Sequence, residues 1–547
     1  MSHMNKPAGY VVVATLVFVG DSFAGHLDIE AYDITAPARP GPVEALQPIK
    51  SLPAVPFQLP FDWGMDPFGD RSWQNSLHKL RPLVDAALAA GDFAYAHAVF
   101  RDWQQWHNGR ETRSSWGDAV TGARAARLAY LLHSTGWRDR SLNQLGERHA
   151  AKLQDPDFFS TTNHGIAQLH GLAALCLDRE LRSCRGAETF LERRLDVLLR
   201  HQFATSGVHR ENSPGYHFYA LEHLSRMAPI LDEYSPDFAE TIRRAEKLTR
   251  WLVHPDLTTV AMSDSKPILR SNLRLPPGNP RCDGIQSYSE APPCYILRHF
   301  KDVGYVVIRS DWAIPSDEAS MIFIQGGFFN PTHRQSDDFS FEWFEHGRKI
   351  LSDSGHYGYT RDKWEGYFDS TRAHNTIEVD GRDYSNKEED RIYGNAVRSA
   401  QQTTQGMRII MQIYHDDLGF WHRRQIDYRP GEELRIKDSV RSDRPRTYVQ
   451  WHHFARAFEL SGGAESFELD DGEMIVDLTA STSCGNQTKY REIRGQVEPH
   501  IQGWASVAER ERHERWALGV ECNARNATLE ARFKVGLPAT VAAAMPR

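Results

Sequence analysis

Residues 73–106 read WQNSLHKLRPLVDAALAAGDFAYAHAVFRDWQQW. Leu77, Leu80, Leu83, Val84, Ala87 and Leu88 recur at steps of three and four, which gathers apolar side chains on one face of a helix. Gly91-Asp92 interrupts the pattern, and Phe93, Ala96, Val99, Phe100, Trp103 and Trp106 resume it. The spacing predicts two amphipathic helices joined by a tight turn. The same texture returns in Ala119–His133, Leu142–Leu153, Ile166–Leu177, Glu188–His201, Tyr219–Leu231 and Phe238–Leu252, with short loops of Gly, Asn, Asp or Ser between. A succession of helices with hardly a strand among them points to repeated antiparallel pairs, a helical toroid or solenoid.

Upstream, Tyr10–Gly20 (YVVVATLVFVG) is rich in Val and Thr and reads as a strand. It is too short to cross a bilayer, and no later stretch is long and apolar enough to do so. Pro-rich coil follows from Pro37 to Pro60. Downstream of Pro292 the pattern changes. Gly304–Arg309 (GYVVIR), Ser320–Gln325 (SMIFIQ), Phe339–Phe344 (FSFEWF), Arg348–Leu351 and Thr376–Val379 alternate or run β-branched between Gly, Asp and Asn turns. Met407–Tyr414, Leu434–Val440, Glu473–Leu478 and Thr528–Lys534 continue the pattern. The reading is all-α then all-β: an extension over 1–60, an incomplete (α/α) toroid over 61–295 and an antiparallel β-sandwich over 296–547. The junction falls in Pro267–Pro293.

The 547 residues carry 40% hydrophobic and 25% charged side chains, the balance of a folded globular chain. With 64 basic and 72 acidic residues the net charge is −8, which offers no bulk attraction to nucleic acid. An acidic polymer could be held only in a locally basic cleft. The cysteines form no metal-binding motif. Cys176–Cys184 and Cys282–Cys294 are close enough in sequence to pair in an oxidising compartment, and free buried thiols are the alternative.

Four stretches concentrate reactive side chains. Thr161-Thr162-Asn163-His164-Gly165 precedes a helix, so Asn163 and His164 could cap it or face a site. His209–Tyr219 (HRENSPGYHFY) sets a Ser-Pro-Gly turn that presents Tyr216 and His217 from a helix start. His333-Arg334-Gln335-Ser336-Asp337-Asp338 runs into a strand. Asp353-Ser354-Gly355-His356-Tyr357-Gly358-Tyr359 is followed by Ser370–Thr376 (STRAHNT). Asp353 and His374 are suitable ligand types for a divalent ion, at no recognised spacing. Arg124, Arg127, Arg210 and Arg334 are candidate grips for carboxylates or sulfates. Trp116 and Tyr357 could stack on sugars or pack in a core, and His452-His453 reads as sandwich core.

The order helical region, NHG, E-x-SPxYH, then HxQxD with FSFE, DSG-x-Y and AHNT resembles the heparinase II/III-like polysaccharide lyases. That family joins an incomplete (α/α) toroid to an antiparallel sandwich and cuts acidic polysaccharides by β-elimination at a uronic acid. The resemblance implies that Asn163, aided by His164, neutralises the uronate carboxylate. It implies that Tyr216 acts as acid, and in some members as base, and that His333 is base or charge stabiliser. Trp116, Arg124, Arg210, Glu211, His217, Arg334 and Tyr357 become candidate substrate contacts. Gln335, Asp353 and His374 match positions holding one divalent ion, zinc or calcium, with a structural role. The two-residue step from His333 to Gln335 would put both on one face of an extended strand. A periplasmic or secreted location is expected.

Two other readings remain at this stage. A glycoside hydrolase needs two carboxylates facing a cleft, for which Glu211 and Asp338 are available. A non-catalytic glycan-binding or polysaccharide-assembly protein would have lost Tyr216 or His333, and both are present. The acidic net charge favours a carboxylate-only polymer over highly sulfated heparin.

Overall fold

The computed structural model describes residues 27–35, 43–282, 294–384 and 389–536. The strand expected at Tyr10–Gly20, part of the Pro-rich coil and residues 283–293 of the junction lie outside them. The helical part runs α1 (Arg71–His78), α2 (Arg81–Ala89), α3 (Phe93–Trp106), α4 (Asp118–Thr135), α5 (Arg140–Leu153), α6 (Asn163–Cys176), α7 (Ala187–Gln202), α8 (Pro214–Leu231) and α9 (Phe238–Leu248). Asp70, Asp92, Asp139, Thr162 and Ser213 cap α1, α3, α5, α6 and α8 by accepting from first-turn N–H groups. The apolar stripes meet in one core that includes Leu77, Trp103, Leu128, Leu172, Leu198 and Leu224. Gly122 of α4 and Gly171 of α6 let these two helices approach backbone to backbone. A Cβ at Gly122 would lie 2.2 Å from the Ala167 carbonyl oxygen.

The β part holds a five-stranded antiparallel sheet and a ten-stranded one. Its small sheet runs Tyr295–Phe300, Tyr305–Ser310, Met321–Gln325, Phe341–Glu345, Arg348–Leu351. Alternate residues of that sheet go to opposite sides. Val306, Ile308, Ile322, Ile324, Phe341 and Trp343 pack on Ile409, Met411, Ile426 and Phe533 of the large sheet. Tyr305, Val307, Met321, Phe323 and Phe344 pack instead on Phe218, Leu252, Val253 and Met262 of the helical part. Burial on both faces explains the unbroken apolar runs GYVVIR and SMIFIQ. Glu342 points the same way as this second set: its Oε2 accepts from His254 Nε2 at 2.8 Å and from the Ala261 N–H at 2.9 Å.

Two strands of the large sheet are far longer than expected. Glu433–His453 and Trp516–Gly536, each 21 residues, pair antiparallel with one register shift between Arg441 and Arg446. All six cysteines pair, as Cys176–Cys184, Cys282–Cys294 and Cys484–Cys522. The third bridge was not anticipated, because its partners lie 38 residues apart. His452 and His453 are fully buried, as a core reading requires.

Arg424 ties the large sheet to the loops above it. It makes two hydrogen bonds to Asp438, both at 2.7 Å, and donates to the carbonyls of Phe339 and Asn375. Both side chains are fully buried, so removing one leaves an uncompensated charge. We expect Asp438→Ala to cost about 3–5 kcal/mol of stability in denaturant unfolding. A loss below about 1 kcal/mol would mean that Arg424 does not depend on this partner.

Candidate active site

Ser213 accepts from the Tyr216 N–H at 3.1 Å and Pro214 takes the first helical position, so α8 starts where the sequence turns. Tyr216 is thereby held in the first turn. The turn before it buries Glu211 completely. Glu211 Oε1 accepts from the Asn163 N–H at 3.0 Å and from Gln202 Nε2 at 2.9 Å. Glu211 Oε2 lies 2.8 Å from His333 Nδ1, a close contact that is not aligned as a hydrogen bond. Burial alone would raise the Glu211 carboxyl; His333, His209 and Gln202 outweigh it and bring it down to about 2.

His333 comes from the sandwich side. Residues 331–338 are a loop, and His333 has φ 55°, so the expected extended strand is absent. His333 and Gln335 therefore do not share a strand face. The left-handed turn swings the imidazole against Tyr216, with ring centroids 3.4 Å apart and planes at 15°. Asn212 Nδ2 fixes this loop to the helical part by donating to the carbonyls of Asn330 and Thr332, the second at 2.9 Å.

Behind Tyr216 runs a chain that the sequence did not reveal. Its hydroxyl lies 3.1 Å from the Tyr359 hydroxyl, which donates to Asp264 Oδ2 at 2.7 Å. Asp264 Oδ1 lies 3.2 Å from His356 Nδ1 and accepts from Gln335 Nε2 at 3.0 Å. Burial would raise Asp264, but His356, His333 and Tyr359 together hold it well below the usual carboxylate range. Burial pushes the Tyr216 phenol up, and Asp264 adds to this. Tyr216, His333, His164, Asp264, Tyr359, Glu365 and Asp369 are among the residues lining a cleft of about 430 Å³. Tyr359 stood in the DSGHYGY stretch with nothing to separate it from Tyr357. Asp264 sits in an ordinary-looking Ser-Asp-Ser turn, 95 residues from Tyr359 in the chain.

The other expected residues fall into two groups. Asn163 and His164 are the first two residues of α6 and do not cap it, since Thr162 does. His164 is exposed at the cleft, with Nδ1 3.0 Å from Asp118 Oδ2. Asn163 is half-buried beside Glu211. Arg210 lines a neighbouring cleft rather than this one.

The remaining candidates are buried or engaged by other side chains. Arg124 is fully buried between Trp103 and Trp116, and Trp116 belongs to the same core. Arg127 is bound to Asp85. His217 is fully buried, its Nε2 donating to the Ala245 carbonyl and its Nδ1 accepting from the His209 N–H. Tyr357 is buried and stacked on Phe368. Arg334 touches the cleft wall, but its guanidinium is held by Asp337, Asp338 and the Gly327 carbonyl. The carboxylates proposed for a hydrolase, Glu211 and Asp338, are occupied by His333 and by Arg334 with Tyr393.

Of the expected ion ligands, Asp353 and His374 meet: His374 Nδ1 lies 3.1 and 2.9 Å from the two carboxylate oxygens. Gln335 is turned to Asp264 through Nε2. Its Oε1, and His374 Nε2, are buried without a hydrogen-bond partner. Among the described residues no three His, Cys, Asp or Glu side chains gather as an ion site.

Two family models match the chain: Heparinase II/III N-terminus over residues 46–275 and Heparinase II/III-like, C-terminal over 294–520. A heparin-sulfate lyase of Bacteroides thetaiotaomicron is 22% identical over an alignment of 416 positions that covers 65% of this chain and 57% of that protein. Another, from Pedobacter heparinus, is 22% identical over an alignment of 386 positions, with 62% of this chain and 57% of that protein covered. This chain thus spans under two thirds of the length of these relatives. Among solved structures, heparinase III aligns with TM-score 0.70 at 16% identity, covering 88% of this chain and 80% of that one. Heparan sulfate lyase from Pedobacter heparinus aligns with TM-score 0.57 at 15% identity, covering 91% and 82%. At such identities the likeness establishes the fold: a helical toroid followed by an antiparallel sandwich.

The lowered Glu211 carboxyl gives a stability signature. Its charged form is favoured in the folded state, so its contribution is present above its ordinary value of 4.5 and lost as pH falls toward about 2. Glu211→Gln is expected to flatten the melting temperature against pH between about 5 and 2, removing up to roughly 3 kcal/mol of pH-dependent stability. An unchanged profile would remove Glu211 from the ion pair.

Proposed function

Because this chain belongs to the heparinase II/III-like family, we propose that it cleaves a uronic-acid-containing polysaccharide by β-elimination in the Tyr216–His333 cleft. The observation that carries this reading is the parallel contact of those two rings, each backed by its own carboxylate. In such a reaction the C5–H bond breaks, its electrons form the C4=C5 double bond, and O4 leaves with a proton. With Nδ1 engaged by Glu211, Nε2 is the His333 nitrogen left to take the C5 proton. The raised phenol keeps Tyr216 protonated at neutral pH, which suits it to donate to O4. Tyr359 and Asp264 orient that hydroxyl. Asn163 and His164, the first two residues of α6, meet the uronate carboxylate with their side-chain amide and imidazole. The acidic net charge favours an unsulfated chain, whereas the named relatives point to heparan-type chains, so both belong in the assay.

We propose in addition that one divalent ion, zinc or calcium, is held beneath the cleft. Asp353 and His374 would hold it with the Gln335 amide oxygen, and the partnerless buried Gln335 Oε1 supports this. When bound, the ion would supply positive charge that fixes the loops carrying these residues. The three disulfides fit an oxidising compartment, periplasmic or secreted.

The direct test is absorbance of the unsaturated uronate on incubation with hyaluronan, heparan sulfate and alginate. Tyr216→Phe should lower kcat by roughly 10²–10⁴ while leaving glycan binding nearly intact. A Phe protein that keeps more than about a tenth of the turnover would remove Tyr216 as the acid. Chelation should lower the melting temperature together with activity, because a bound ion stabilises only the folded state. Full activity and an unchanged melting temperature in metal-free protein would return Gln335, Asp353 and His374 to a plain polar network.

A further inference from the structure

The reacting cleft is poor in available positive charge. Three acids line it, Asp264, Glu365 and Asp369, and the guanidinium on its wall, Arg334, is already held by Asp337 and Asp338. Beyond the one carboxylate met at the start of α6, the further charges of a polyanion need a grip elsewhere. On the far side of the 329–334 loop lies a second cleft of about 310 Å³, lined by Val197, Arg200, His201, Arg210, Phe329 and Asn330. Residues 329–330 form its wall, and residues 331–334 form the wall of the first cleft. From Asn330 to His333 is three residues, at most about 11 Å of chain, so the two clefts are neighbours along one path.

The second cleft has the chemistry for an acidic sugar. Arg200 is exposed and shares its charge with Asp196 at 2.6 Å. Arg210 has no carboxylate partner among the described residues, and its Nε is buried without a hydrogen bond. Phe329, half-exposed, offers an apolar face of the kind that meets sugar C–H groups. Arg210 also stands next to Glu211 in the rigid turn before α8. One turn thus sends Glu211 to the catalytic histidine and Arg210 to this cleft.

We propose that Arg210, Arg200, His201 and Phe329 form a binding subsite for an acidic sugar next to the one being cleaved, taking its carboxylate or sulfate on Arg210. This rests on the lyase reading above and names the charge that the substrate must carry away from the scissile bond. A neutral sugar at that position would leave Arg210 unanswered.

The test compares wild type with Arg210→Gln, Arg200→Gln and Phe329→Ala on alginate, where every sugar carries a carboxylate, and on heparan sulfate, where the sugar next to a uronate carries sulfate, with melting temperature as a folding control. Arg210→Gln should raise KM for the polymer about tenfold or more, with kcat little changed, since a charged hydrogen bond is lost from binding alone. Loss on heparan sulfate only would assign the anion as sulfate, loss on alginate only as carboxylate, and loss on both as either anion. Turnover with KM unchanged in both arginine variants would overturn the subsite and leave the lyase reading standing. If no polymer is turned over, the lyase reading fails, and direct titration of the same two polymers still decides the subsite. Weaker binding by Arg210→Gln supports it, and equal binding overturns it.

Discussion

The arrangement depends on one buried carboxylate. Glu211 accepts from the first N–H of α6 and from the last residue of α7, and its other oxygen meets a histidine from the sandwich. A charge with no exposure is tolerated only where it is met on several sides. Those partners are what bring Asn163, Tyr216 and His333 into one place. The helix dipole of α6 adds to the hold, because the carboxylate lies against its N-terminus. Without that charge the imidazole would lose the carboxylate that faces its Nδ1, and the turn before α8 would be tied to the sandwich loop through Asn212 alone of these two residues.

Much of the fold was legible because its elements are amphipathic in simple ways. Outer helices such as α5 bury one stripe, so their periodicity marks them to within a few residues, as in Arg140–Leu153 against the expected Leu142–Leu153. The strands of the small sheet announced themselves by being apolar on both faces. The long strand Glu433–His453 was read only as Leu434–Val440 for a physical reason. Its middle, Arg441–Arg446, is polar and contains Pro445, and the register shifts there, so the alternation that identifies a strand is broken. The Cys484–Cys522 bridge was hidden because strand pairing, not sequence distance, brings its ends together.

The site was legible where a local turn creates it and obscure where packing does. Tyr216 follows from Ser213-Pro214, and Asn163 from the start of a helix. Arg124 looks the same in sequence whether it grips a substrate or lies between two indoles. It lies between Trp103 and Trp116, where cation–π contact replaces a carboxylate. Asp264 and Tyr359 were missed because each is ordinary in its own stretch and matters only through the other. His333 was recognised, but its left-handed backbone was not, and that turn is what aims the ring.

The small sheet has a consequence beyond placing the loops. Val307, Phe323 and Phe344 are covered by helices, while Val306, Ile324 and Trp343 are covered by the large sheet. The sheet is thus a shared wall rather than the outer face of a detachable module. A cut at the junction would leave a broad apolar surface on each fragment. The two segments that the family profiles treat as separate units are therefore poor candidates for exchange between relatives, unless the residues on both sides of that wall travel together.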